Sequence, residues 1–234
     1  MAAYLACEPF LGPGPVLDLG CGAGHSFHRL APRETVGVDI DPRALEGQDR
    51  ATVAADMRAL PFDTAAFSSV VAVHSIEHVP DPECAVAEAA RVLEPGGVAA
   101  FVTPNRLTFG RPDEIIDPYH YVELDASELR HICGRRFREV EVLGLFGSER
   151  YLELFAEERR TLERLLRLDP LALRRRVPRR ARQAAYDGLL RRFRRGEEPR
   201  AKAIDAHDFE LRGERLEDAL DVLAVCRRPR TGHG

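Results

Sequence analysis

Residues 16–24 read Val-Leu-Asp-Leu-Gly-Cys-Gly-Ala-Gly. A short apolar strand runs into three glycines at alternate positions, and a helix-like segment follows at once. Glycine lets a backbone turn sharply and lets a ligand lie against the main chain without meeting a Cβ. A strand that feeds such a loop into a helix is the cradle of a doubly wound sheet. A second strand over residues 35–39 then ends in Asp39. In that geometry an acid at the tip of the second strand accepts hydrogen bonds from a ribose.

The remaining pattern supports the same class. Residues 24–30 read as the first helix, and Pro42 sits where a first helical turn tolerates proline, so residues 42–48 read as a short second one. Strands are expected over residues 51–55, 69–73, 98–102, 140–145 and 220–226. The run at 69–73 is β-branched without polar alternation, as in a strand covered on both faces. Residues 82–93 are helical by the spacing of Val86, Ala89, Ala90 and Leu93, and stop at Pro95-Gly96-Gly97; residues 127–133 form another helix. Strands alternating with helices predict an α/β fold: a doubly wound, Rossmann-like, seven-stranded and mostly parallel sheet.

Between residues 148 and 206 the pattern changes. Leu152, Phe155, Leu162, Leu165 and Leu166 recur at helical spacing among charges, Pro170 and Pro178 interrupt them, and residues 181–193 resume. The expected organisation is one domain over residues 1–147 and 207–234, with an Arg-rich helical insertion or cap at 148–206 before the last strand. From 150 to 200 there are 16 Arg against 8 acids, a charge of +8 in a chain of net charge −4. Such asymmetry can mark an anionic partner. Lys202 is the only lysine, however, and an Arg-, Ala-, Gly- and Pro-rich composition also follows from a GC-rich genome. No apolar run is long enough to span a membrane, and no basic region followed by an apolar stretch marks a secretory signal. The five cysteines are scattered without a C-x-x-C pair, which suits a reducing cytoplasm and excludes a zinc ribbon.

The glycine loop departs from the dinucleotide fingerprint: after Gly20 and Gly22 it places Gly24 and then His25. Asp-x-Gly-x-Gly-x-Gly resembles the class I S-adenosylmethionine-dependent methyltransferases. Three further blocks agree in order: residues 55–62, 76–82 and 90–97. Ser68 departs from the Asp that commonly follows Phe67, which is expected to affect local packing. The resemblance covers about residues 15–147 and 220–228, on the bacterial sugar and natural-product branch, near the type 11 and ubiquinone-biosynthesis O-methyltransferases. It implies S-adenosyl-L-methionine as cofactor, held by Asp18, Gly20, Gly22, Gly24, Asp39, Ile40, Asp56, Met57 and His74. Asp18 would hold the methionine amine, Asp39 the ribose and Asp56 the adenine amine, with Met57 beside that ring.

The tips of strands four and five then face the reactive methyl group. Transfer from a sulfonium needs an aligned acceptor lone pair, and a hydroxyl acceptor also needs a base, for which His is suited near neutral pH. His74-x-x-Glu77-His78 matches the inverted zinc-protease pattern H-x-x-E-H, but a strand and not a helix precedes it. The ubiquinone-biosynthesis enzymes have Glu-x-x-Glu-His there, through which a divalent cation can bind. His74 in place of the first Glu weakens an oxygen-rich site; no metal is expected, and Glu77 and His78 are read as capping the loop. Residues 105–125 form the expected acceptor lid. Within it Pro118-Tyr119-His120-Tyr121-Val122-Glu123 resembles a Pro-x-His-x-x-Glu stretch of methyltransferases acting on sugars, glycans and natural products. The expected catalytic residues are His120 or His74 as base, with Glu123 orienting His120. Arg106 and Arg111 are read as solvated, with an anionic acceptor as the alternative. The expected reaction is O-methylation of a small molecule, sugar or glycan. The alternatives are an RNA methyltransferase gripping phosphates through the insertion, or N- or C-methylation of a natural product. No DNA partner is expected, since Asn/Asp-Pro-Pro-Tyr is absent after strand four; membrane-surface contact by the insertion is a lesser alternative.

Overall fold

The computed structural model describes residues 2–109, 115, 117–153, 156, 160, 177–178, 180–184, 188 and 205–230. Most of the expected insertion, including Phe155, Leu162, Leu165, Leu166 and Pro170, lies outside them, as do Arg111 and Ile116. Residues 149–153 and 180–184 are helical.

The strands are β1 (Val16–Leu19), β2 (Thr35–Asp39), β3 (Ala51–Ala54), β4 (Phe67–Val73), β5 (Leu93–Pro104), β6 (Phe137–Gly147), β7 (Phe209–Arg212) and β8 (Asp221–Pro229). They form one sheet of order β3-β2-β1-β4-β5-β8-β6-β7. The first five are mutually parallel, β8 is antiparallel to β5 and β6, and β7 is antiparallel to β6. Six strands therefore point one way. The sheet has eight strands where seven were expected. The extra one, β7, is a four-residue edge strand of alternating burial, Phe-Glu-Leu-Arg, paired with the end of β6. So short a run beside an Arg-rich segment carries little periodic signal.

Apolar side chains alternate between the two faces. Val70 and Ala72 of β4 and Phe101 of β5 join α2 (Pro82–Val92) and α3 (Ala126–Gly134) in one core. Val71, Ala100 and Val102 join α1 (Ala2–Cys7) and Leu30 in the other. Local chemistry starts these helices where they are needed. Asp81 caps α2 by accepting from the Cys84 amide, and Pro82 fills the first turn. Asp125 and Glu128 form a capping box on α3. Ser68 donates to the Pro15 carbonyl at 3.1 Å.

Two expected helices are shorter than their sequence patterns. Residues 24–30 hold a 3-10 turn over Phe27–Leu30, and residues 42–48 one over Pro42–Leu45. Residues 20–34 connect β1 to β2, and among them only Phe27–Leu30 is helical. Among the described residues no helix is long and apolar enough to cross a membrane. Strand order reverses between β1 and β4, so their carboxyl ends open the crevice where ligands bind in such sheets.

Candidate active site

One half of the crevice is built from the ends of β1 and β2. Gly20, Gly22 and Gly24 all have positive φ, at 67°, 52° and 68°. A Cβ on Gly20 would lie 2.4 Å from the Ser75 Cβ, and one on Gly24 would lie 2.3 Å from Gln48 Oε1. Around Gly22, by contrast, a Cβ would meet nothing within 4 Å. The loop is thus packed at both ends and open in the middle. Asp39 closes the hollow: its Oδ2 accepts from the Gly22 amide at 2.8 Å and its Oδ1 from the Asp41 amide at 2.9 Å. A carboxylate has about four acceptor positions, so both oxygens retain capacity for a ligand's hydroxyls. Ile40 beside it is 71% exposed, an unusual state for an isoleucine and a ready apolar platform. Met57 is buried against the loop, its Cε 3.0 Å from where a Gly20 Cβ would stand. Asp56 forms a 2.6 Å ion pair with Arg58, whose hydrogen bonds hold its carboxyl below the usual carboxylate pKa.

Asp18 is fully buried. Its oxygens accept from the Tyr4 hydroxyl and from Arg50 Nη1, each at 2.9 Å. Burial raises the Asp18 pKa, with Arg50 and the two hydrogen bonds opposing the rise. The Tyr4 hydroxyl is raised by burial and by Asp18, so it stays neutral and donates.

The other half comes from the ends of β4, β5 and β8. His74 follows β4 with a left-handed backbone, φ 49°, a strained state for a non-glycine residue that clusters at functional sites. Its Nε2 lies 3.1 Å from Asp221 Oδ2, at the start of β8, and its side chain is 44% exposed. Burial works against a charge on His74, but the Asp221 hydrogen bond and the Asp221 and Glu77 charges outweigh it, so its pKa is raised. His120 lies in the lid, buried, with Nδ1 3.2 Å from Glu123 Oε1 and its ring against His78 and Phe109. Burial opposes its charge too, and Glu123, Asp117 and Glu77 overcome this to raise its pKa. His120 lines a small cleft of about 180 Å³ together with Ile115, Asp117, Pro118, Tyr121 and Arg182.

Glu77 is 1% exposed, and neither carboxylate oxygen has a hydrogen-bond partner. Burial raises its pKa against the pull of His74, His78 and His120. The buried hydroxyls of Ser75 and Thr103 are also unpartnered. Such unpartnered buried polar atoms at the adjoining ends of β4 and β5 call for a partner that the protein itself does not supply. Glu77, His78 and His120 bring one donor atom each within 4.8 Å of one another. Two imidazoles and one carboxylate suit a transition ion better than magnesium. Asn105 and Arg106, by contrast, are spent on the framework. Asn105 Nδ2 donates to the Leu216 and Ala219 carbonyls, and Arg106 pairs with Asp125 and Glu128.

A family described as "Methyltransferase domain" matches residues 17–101, which span the glycine loop through β5. A probable S-adenosylmethionine-dependent methyltransferase of Mycolicibacterium smegmatis is 32% identical over 227 residues, 92% of this chain and 81% of that protein. The chain belongs to the S-adenosylmethionine-dependent methyltransferases. The 27-O-demethylrifamycin SV methyltransferase of Amycolatopsis mediterranei is 38% identical over 132 residues, 50% of this chain and 45% of that protein. Among solved structures, a methyltransferase of Thermotoga maritima described as a possible histamine N-methyltransferase superposes with TM-score 0.62. It covers 97% of this chain and 87% of its own at 17% identity, and so shares the fold.

S-adenosylmethionine is therefore the methyltransferase's cofactor, and the loop is compatible with it: the space beside Gly22 is open, with the Asp39 carboxylate at its rim. Sequence reasoning missed Asp221, Arg50, Gln48 and Tyr4. Asp221 opens an ordinary strand pattern, and Arg50 stands among the charges of a surface turn, so neither carries a local signal.

Proposed function

We propose that this methyltransferase transfers the methyl group to a hydroxyl oxygen of a small molecule, sugar or glycan, with His74 as general base and Asp221 orienting it. Bound S-adenosylmethionine supplies an electrophilic methyl on a sulfonium. The protein's part is to align the acceptor and to take its proton. With Nε2–H donated to Asp221, the neutral His74 ring keeps the lone pair of Nδ1, which has no partner among the described residues. The Asp221 carboxylate fixes that tautomer and stabilises the imidazolium that forms, the division of labour of a His–Asp pair. His74 directly precedes Ser75, which packs on Gly20, so the base stands one residue along the chain from the wall of the cofactor loop. That juxtaposition carries the reading. The name of the rifamycin relative, a 27-O-methyltransferase, supports oxygen as the acceptor atom.

A second reading places the base at His120, oriented by Glu123, because His120 lines the cleft. The two are separated by following labelled methyl from the cofactor into a metabolite pool with His74→Ala and His120→Ala. Loss of the base lowers turnover on the order of 10²–10⁴-fold. That loss in His74→Ala, with cofactor binding retained, is the expected result; the same loss in His120→Ala with His74→Ala active would move the base to the lid.

A further inference from the structure

The buried network beneath the glycine loop runs in one direction. Tyr4 and Arg50 Nη1 occupy the two oxygens of Asp18. The Arg50 guanidinium lies against Gly37, where a Cβ would stand 2.9 Å from Cζ, and under the Phe27 ring at 4.4 Å. Arg50 Nε donates to Gln48 Oε1 at 2.9 Å. Gln48 Nε2 donates in turn to the Gly22 carbonyl at 2.7 Å and the Ala44 carbonyl at 3.1 Å. A guanidinium only donates, so it accepts no other orientation of the Gln48 amide. Oε1 must face Arg50, and Nε2 must face Gly22. The Gly22 amide meanwhile donates to Asp39. Both polar groups of the open glycine are therefore held by side chains from outside the loop.

In folds of this type the helix that follows the loop helps to hold it. Here only the 3-10 turn Phe27–Leu30 follows. We propose that Asp18, Arg50 and Gln48 are positioning residues for the cofactor: they hold the Gly22 carbonyl, and so the width of the hollow, in place of a helix. Asp18 acts on the cofactor through this chain of hydrogen bonds and not by touching it. The proposal rests on the loop being the cofactor cradle and is independent of which acceptor is methylated.

Gln48→Glu is the discriminating variant. It keeps an acceptor for Arg50 but turns a carboxylate oxygen toward the Gly22 and Ala44 carbonyls. The expected result is a dissociation constant for S-adenosylhomocysteine about tenfold higher by calorimetry. The cofactor KM should rise in proportion, and the cofactor-free melting temperature should not fall. Affinity equal to the parent's would overturn the proposal. Should melting temperature and affinity fall together, Gln48→Ala decides, since it removes the donor without adding charge: weakened binding at an unchanged melting temperature supports positioning, and full affinity overturns it. Asp39→Ala serves as the reference. If it too leaves binding intact, the cradle itself is misplaced, a failure distinct from that of the Gln48 chain.

Discussion

The proposed base, His74, is tuned by Asp221. The base must be neutral to take a proton, and its pKa lies above the ordinary His value, so turnover should climb with pH through a midpoint above about 6.5. Asp221→Asn removes the chief cause of the rise while burial remains. The midpoint of the pH–rate profile should then move down and the plateau should fall; an unmoved midpoint would detach Asp221 from the base. Stability follows the opposite sign. A raised folded-state pKa stabilises the fold below the unfolded value and loses that contribution as pH rises through the folded one. Parent and Asp221→Asn should thus differ most in denaturant midpoint at acidic pH and converge above the raised pKa. Asp18 presents a different case, because it and Arg50 are both deeply buried, at 0% and 3% side-chain exposure. Asp18→Asn leaves a buried guanidinium without its counter-charge, and urea unfolding should report a loss of about 3–5 kcal/mol.

Among the elements, those with end signals were the most legible. Helix α2 stands where its apolar spacing and its Pro-Gly-Gly stop place it, and α3 close to the expected 127–133; their starts are capped by Asp81-Pro82 and by Asp125 with Glu128. Removing the α3 cap by Asp125→Ala should lower stability by about 1 kcal/mol in thermal or denaturant unfolding. The turn at Phe27–Leu30 shows why pattern alone misleads. A strand, glycine loop and following segment predict a helix there, but the segment forms only a 3-10 turn, and the Gly22 carbonyl is held by Gln48, itself held by Arg50. Edge strand β7 was illegible for a different reason, since four residues are too few to establish a period even though Phe209 and Leu211 pack on the core.

Over the whole molecule, the half of the site proposed to hold the cofactor was the more legible, because its residues lie within β1, β2 and the turns just after them. Glycine spacing and Asp39 are local facts, and the sheet places them side by side through parallel pairing of β1 with β2. The half that handles the acceptor was only partly legible. His74, His120 and Glu123 stood out by residue type, but the pairing of His74 with Asp221 spans 147 residues and depends on β8 inserting between β5 and β6. The convergence of Glu77, His78 and His120 depends likewise on the lid folding back onto the end of β4, where the Tyr121 amide donates to the Glu77 carbonyl at 2.8 Å. With two nitrogen donors in that trio, added magnesium should leave turnover unchanged in a metal-free preparation; stimulation by magnesium would contradict the reading of these donors.

The most direct measurement is calorimetric titration of S-adenosylhomocysteine into the parent protein and into Asp39→Ala. The loop and Asp39 together predict saturable one-site uptake by the parent and affinity at least about tenfold weaker in the variant, since a charged hydrogen-bond partner is lost. No uptake by the parent, or equal uptake by both, would contradict it.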